Sequence, residues 1–376
     1  MRHPRPTSAA SRSEGEECDL DALREAIDSV DREILAQLNE RARLAERVGA
    51  RKRELGEGVY RAARERDLVA QLVAENPGPF PSEAIAAVFR EIISGSRALE
   101  ERPRVAFLGP EGTFSHLAVR EKFGALVDPH PVSSLSGVFD AVARRKAALG
   151  IVPLENTTEG VVTETLDRLA ESELPLCGEL LLPVSQHLMS RSGSLADVRQ
   201  VASIPQALAQ CRSWLDRHLP RVERLEVAST AVAARLAASE EGVAAVGSSI
   251  AAEVNGLRIV ERSIEDRSDN TTRFLVIGGH EPPPSAADST LVVCTVAKTR
   301  AGALHTLLEP FSRHEVNLAS IHSRPIPGKP WEYLFILELE GHRQQESVIR
   351  AMAEAEAIAL SCRCLGSFPR TPGGAP

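Results

Sequence analysis

The chain has 376 residues, past the size at which one hydrophobic core keeps growing, so two or three domains are expected. Its 43% hydrophobic and 26% charged residues are those of a globular protein rather than a disordered or fibrous one. A net charge of −8 argues against nucleic acid as the main partner, and no apolar run reaches the roughly 20 residues that span a bilayer, so no membrane partner is expected either.

The first residues lack the apolar stretch of a secretory signal, which points to the cytoplasm, and residues 1–18 are expected to be a disordered tail. Six cysteines in so long a chain are no disulfide framework; all are expected to be reduced and structural. Cys362-Arg-Cys364 has neither the spacing nor the further ligands of a zinc site, so no metal is expected.

From Asp19 to about Leu55 the spacing of Leu23, Ile27, Val30, Ile34, Leu38, Ala45 and Val48 predicts one long helix, broken at Gly56-Glu57-Gly58. A second helix is predicted from about Ala62 to Glu75, stopped by Asn76-Pro77-Gly78-Pro79. A third begins at Ser82 as N-cap and carries Ile85, Val88, Phe89, Ile92 and Leu99. Three helices cannot bury so long an apolar stripe alone, so a homodimer or higher homo-oligomer is expected.

At 100° per residue, Arg41 and Lys52 fall at the centre of the first helix's apolar stripe and Arg24 at its margin. A cation at a core position needs an anion, which suggests a pocket for a small polyanion between the helices. The same spacing also fits cations paired with Glu25, Asp28 or Glu40, or snorkelling to solvent.

Residues 19–101 resemble the all-helical chorismate mutases through Leu23-Arg24-Glu25-Ala26-Ile27, Leu38-Asn39-Glu40-Arg41, Val48-Gly49-Ala50-Arg51-Lys52 and Arg64-Glu65-Arg66. The resemblance implies that Arg24, Arg41, Lys52, Arg64, Glu65, Ser96 and Glu100 line a chorismate pocket, with Arg24 donated across a dimer. Arg41, Lys52 and Glu100 would be the catalytic members. The reaction is a pericyclic rearrangement, so such a site holds the compact conformer and stabilises charge on the breaking ether oxygen.

After Pro103 short β-like runs alternate with helical segments, which predicts an α/β domain with parallel pairing over residues 104–279. Gly109-Pro110-Glu111-Gly112-Thr113-Phe114-Ser115 lies between a strand and a helix but lacks the glycine spacing of a dinucleotide fingerprint. Polar residues cluster at strand ends in Glu155-Asn156-Thr157-Thr158 and Asp269-Asn270-Thr271-Thr272-Arg273, where ligands bind in open α/β sheets.

Together with Ser203-Ile204-Pro205-Gln206 and Gly247-Ser248, these segments resemble the prephenate dehydratases, although Ile204 stands where the family commonly has His. The resemblance implies a two-lobed fold like type II periplasmic binding proteins, with prephenate between the lobes and no cofactor. It implies Thr272 as the catalytic donor to the departing hydroxyl, with Glu155, Asn156, Ser203, Gln210 and Arg273 as substrate-binding groups.

Residues 280–288, with Pro282-Pro283-Pro284, read as a stiff linker. Beyond it residues 289–369 give a βαββαβ order, a ferredoxin-like α+β unit, with its last strand near Ile358 to Leu365. Gly302-Ala303-Leu304-His305, Asn317-Leu318 and Ser323-Arg324-Pro325 resemble the ACT domain of these dehydratases. That implies phenylalanine as allosteric ligand, with Gly302, Ala303, Leu304, Asn317, Leu318, Ser323 and Arg324 as regulatory positions.

The three resemblances imply a bifunctional enzyme of phenylalanine biosynthesis, taking chorismate through prephenate to phenylpyruvate. An arogenate dehydratase would share the motifs of the middle segment, and a non-catalytic amino-acid sensor would share its fold.

Overall fold

The computed structural model describes residues 15–54, 62–100, 102–296, 301–326 and 333–371. Residues 1–14 of the expected tail, the break at Gly56-Glu57-Gly58 and the turn at Pro327-Gly328-Lys329-Pro330 lie outside them.

The N-terminal unit consists of helices α1 (Gly15–Glu54), α2 (Ala62–Glu75) and α3 (Ser82–Glu100). α1 starts at Gly15 rather than Asp19, so the end of the expected tail is helical. Ser82 is the first helical residue and not the N-cap. The Pro81 carbonyl accepts from the N–H groups of Ala84 and Ile85, since its ring already fixes a near-helical φ. α3 packs on both other helices, yet Leu23, Ile27, Val30 and Ile34 of α1 remain 52–59% exposed.

The middle unit has two lobes. The first holds β1 (Arg104–Leu108), α4 (Phe114–Phe123), β2 (Asp128–Val132), α5 (Leu135–Ala143), β3 (Leu149–Asn156), β4 (Gly160–Val161), α6 (Thr163–Glu171) and β5 (Leu176–Pro183). The second holds β6 (His187–Ser190), β7 (Gln200–Ser203), α7 (Pro205–Gln210), α8 (Arg212–His218), β8 (Glu223–Glu226), α9 (Thr230–Ser239), β9 (Val243–Gly247), α10 (Ser249–Asn255) and β10 (Arg258–Glu261). The chain then returns, and β11 (Thr271–Gly278) inserts into the first lobe's sheet, ordered β2-β1-β3-β11-β5.

Parallel pairing holds for β1 with β2 and β3, and for β7 with β8 and β9. It fails for β11, which runs antiparallel to β3 and β5, and for β6, which runs antiparallel to β9 and β10. The physical reason lies in the double crossing: a strand that re-enters a sheet from the other lobe need not make a right-handed βαβ crossover. Fully buried Phe107, Ile151, Phe274 and Val276 hold β1, β3 and β11 in one core.

The C-terminal unit comprises β12 (Asp288–Thr295), α11 (Ala303–Arg313), β13 (Leu318–Pro325), β14 (Tyr333–Glu340), α12 (Glu346–Ile358) and β15 (Ser361–Pro369). The last strand begins at Ser361, because α12 runs on through Ile358. Its antiparallel order β13-β14-β12-β15 is ferredoxin-like. Alternation decides which face goes where. Val292, Cys294, Leu337 and Leu339 face the unit's own helices, whereas Leu291, Ile336, Leu365 and Phe368 enter the first lobe's core beside Leu176 and Leu275. Each such side chain, fully buried, contributes about 1.5–3 kcal/mol. A sheet covered on both faces explains the unbroken apolar run of β12.

The described cysteines are free thiols, and the Sγ atoms of Cys294 and Cys362 lie 2.8 Å apart across β12 and β15. Among the described residues no helix is long and apolar enough to cross a membrane, and no cluster of side chains forms a metal site.

Candidate active sites

Between the helices, the guanidinium of half-buried Arg41 donates to Ser96 Oγ, and that hydroxyl donates onward to the Ile92 carbonyl at 2.9 Å. The Ser96 lone pair is thereby aimed at the cation. Burial lowers the Arg41 pKa, while the charge of Glu65 works in the opposite direction. Glu65 on α2 is gripped at 2.6 and 2.7 Å by Arg97 of α3. Arg97 is only 6% exposed and lies 6.0 Å from the centroid of the Phe123 ring, in the neighbouring unit. Sequence reasoning passed over Arg97. It falls four residues after Ile93 and eight after Phe89, on the same inward helix face, which was a usable signal.

Glu100 lies against Gly49, where any Cβ would overlap its carboxylate. Its Oε2 is buried with no hydrogen-bond partner among the described residues, a costly state that an incoming donor or a proton on the carboxyl would relieve. Lys52, three residues beyond Gly49 on α1, is half-buried. The structure thus brings Arg41, Glu65 and Ser96 together, and sets Glu100 on Gly49 of α1, one turn before Lys52.

It does not bring Arg24 to Arg41. The Arg24 side chain is 66% exposed and paired with Asp21 at 3.2 Å. Along α1 it stands 17 positions before Arg41, a rise of about 25 Å. Arg64 is also exposed.

In the two-lobed unit Thr272, the second residue of β11, lies directly opposite Asn156, the last residue of β3. Asn156 Oδ1 accepts from the backbone N–H groups of Thr158 and Glu159 at 2.9 and 3.0 Å. That fixes the amide's orientation, so its Nδ2 donates to Thr272 Oγ1 at 2.9 Å and to Asn270 Oδ1 at 2.7 Å. Thr272 therefore accepts with its lone pair and keeps its own hydrogen for another acceptor. Accepting a hydrogen bond also makes that O–H a better donor.

The two lobes meet at the glycine-containing turn. Ser248 Oγ of the second lobe donates to the Gly112 carbonyl at 3.1 Å, and Gly112 adopts φ +87° packed on Ala251. Gln210 accepts from Gln186 at 3.1 Å. Ser203 is fully buried and donates to the Val246 carbonyl at 2.7 Å, so its hydroxyl braces β7 against β9 rather than facing a ligand. Glu155 pairs in register with Arg273, on the strand face opposite to Asn156.

Arg273 requires the same correction. Successive strand residues point to opposite faces, so the neighbour of Thr272 is turned away from it. Its guanidinium binds Glu179 of β5 and Glu338 of β14 instead of an open site. Both carboxylates interrupt apolar runs, Leu176-Cys177-Gly178-Glu179-Leu180 and Ile336-Leu337-Glu338-Leu339, a pattern visible in the sequence.

Of the expected regulatory positions, Gly302 (φ +76°) precedes α11, Ala303 and Leu304 form its first turn, and exposed Asn317 precedes β13, which carries Leu318 and Ser323. Arg324 departs from the set. It binds both oxygens of Asp167 on α6, at 2.8 and 2.7 Å, and so clamps β13 to the first lobe.

The chain matches three family descriptions: Chorismate mutase type II over residues 23–101, Prephenate dehydratase over 105–282 and ACT domain over 290–357. A Bifunctional chorismate mutase/prephenate dehydratase of Aquifex aeolicus is 42% identical, covering 94% of this chain and 98% of that protein. The prephenate dehydratase of Arthrobacter aurescens, solved in complex with L-Phe, is 34% identical with a TM-score of 0.65 over 71% of this chain and 90% of its own. A structure described as GqqA, a novel type of quorum quenching acylase, is 29% identical with a TM-score of 0.66 over 72% of this chain and 98% of its own.

Proposed function

The chain belongs to the bifunctional chorismate mutase/prephenate dehydratases, and on that premise we propose how its two sites divide the work. It converts chorismate to prephenate, and prephenate to phenylpyruvate with loss of carbon dioxide and water. Phenylalanine feeds back on it as allosteric ligand, in keeping with its ACT domain.

In the first site Arg41, Lys52 and Arg64 receive the carboxylates and ether oxygen of chorismate, with Ser96 and Glu65 setting the Arg41 and hydroxyl contacts. Glu100 faces the ether oxygen, where it serves only while protonated. No bond to the protein forms. Fixed cations in a partly dry pocket hold the reactive conformer and stabilise the developing charge. The distance from Arg24 to Arg41 supports a homodimer in which a second copy covers the exposed α1 stripe and supplies Arg24 to its partner's pocket.

In the second site Thr272 donates to the hydroxyl leaving prephenate while the C–C bond to the departing carboxylate breaks and the ring becomes aromatic. The observation that carries this reading is the hydrogen bond from Asn156 Nδ2 to Thr272 Oγ1, which leaves the threonine hydrogen free to be given. Gln210 holds substrate from the other lobe. Free thiols fit a cytoplasmic setting.

The test is turnover by purified protein supplied separately with chorismate, prephenate and arogenate. Phenylpyruvate from the first two is expected. Turnover of arogenate alone would reassign the second site, and turnover of none would leave a sensor.

A further inference from the structure

Arg273 plays no part in that chemistry, yet it is bonded to the residue that does. Its Nε donates to Glu179 at 2.8 Å, and its two terminal nitrogens donate to the two oxygens of Glu338 at 2.7 and 2.6 Å. The cluster is nearly dry: Glu179 is 4% exposed, Glu338 3% and Arg273 19%. Glu179 lies on β5, beside β11, and is itself braced, its backbone carbonyl accepting from the ammonium of half-buried Lys122 at 2.8 Å. Glu338 lies on β14 of the ACT sheet.

If adhesion were all that was needed, apolar side chains would do it better, as Leu291, Ile336 and Leu365 do close by. A buried ion pair is weak glue, but it is geometrically exacting. A second feature fits this exactness. The pairing of β11 with β3 slips by one residue immediately after Arg273, whereas Thr272 and Arg273 stay in step with Asn156 and Glu155. Such an irregularity lets the strand bend locally. A displacement of β14 that pulls on Arg273 would therefore be taken up at the slip and move Thr271 and Thr272, leaving the buried core from Phe274 to Ile277 in place.

We propose that Arg273 is a positioning residue for Thr272 and that Glu338 makes it answer to the ACT domain, so that this pair transmits phenylalanine binding to the dehydratase site. The link rests on the assignment of Thr272 as donor and of the ACT domain as sensor.

Glu338→Gln in the full-length protein tests it, because the amide keeps the shape and loses the charge. Phenylalanine binding, followed by calorimetry, should persist and chorismate rearrangement should be unchanged. The factor by which saturating phenylalanine alters dehydration should shrink by about fivefold or more. Arg273→Lys, which keeps the charge but loses the planar fork, should uncouple in the same way and carries the test if Glu338→Gln does not fold. Wild-type feedback in either folded variant would overturn the link and leave the pair as adhesion only. A wild-type protein that dehydrates prephenate but ignores phenylalanine would remove the sensor assignment, and the link with it.

Discussion

What a single residue can do in either site depends on which of its hydrogen bonds are already committed. Thr272→Ala removes the donor and should lower dehydratase kcat by about 100-fold or more, and Asn156→Ala, which leaves the hydroxyl unoriented, should lower it by roughly tenfold. Steady-state kinetics on prephenate checks both. Glu100→Gln supplies a permanent donor where the wild type needs a proton, so mutase turnover should persist to higher pH than in the wild type. An identical pH profile would place Glu100 away from the ether oxygen.

Glu338 gives a stability prediction of the opposite slope. Burial works to raise its pKa, but the hydrogen bond and charge of Arg273 outweigh that and hold it below the ordinary 4.5. A carboxyl whose folded pKa is depressed stabilises the fold fully above its unfolded value and loses that contribution as pH falls through the folded one. Thermal unfolding of the wild type should therefore drop steeply below about pH 4.5, and Glu338→Gln should be less stable at pH 7 by up to about 3 kcal/mol but show a shallower acid decline.

Among elements, the legible ones were those with a strict period. α2 matches its predicted span, and α1 and α3 were readable from their apolar spacing. The ferredoxin-like order was readable too, because helices and strands alternate with clear turns. Strand direction in the two lobes was not, since a single sequence does not reveal that β11 returns from the other lobe. Nor was side-chain aim: Ser203, Arg273 and Arg324 sit in recognisable segments, yet their polar atoms are spent on Val246, Glu179 with Glu338, and Asp167. Thr272 and Asn156, by contrast, meet because strand ends face each other across β3 and β11. α1 makes the clearest element-level prediction. Ile27→Glu puts a charge into the exposed stripe that a second copy is proposed to cover; sedimentation should report a monomer, and mutase activity should fall with it because Arg24 is then lost from the pocket. A dimeric, fully active variant would place the interface elsewhere.

For the whole molecule, three units are joined by contacts that bear on function. Arg97 holds Glu65, proposed for the mutase pocket, while lying over Phe123 of the dehydratase unit, and the ACT sheet shares its buried face with the first lobe. Even so, the residues proposed for the two reactions belong to different cores, and the chemistry at one does not pass through the other. The most direct measurement follows chorismate consumption and product formation by Thr272→Ala at neutral pH. Prephenate should accumulate at the wild-type mutase rate with almost no phenylpyruvate. Phenylpyruvate at the wild-type rate, or loss of chorismate rearrangement in a protein that still folds, would contradict a chain with two separate active sites.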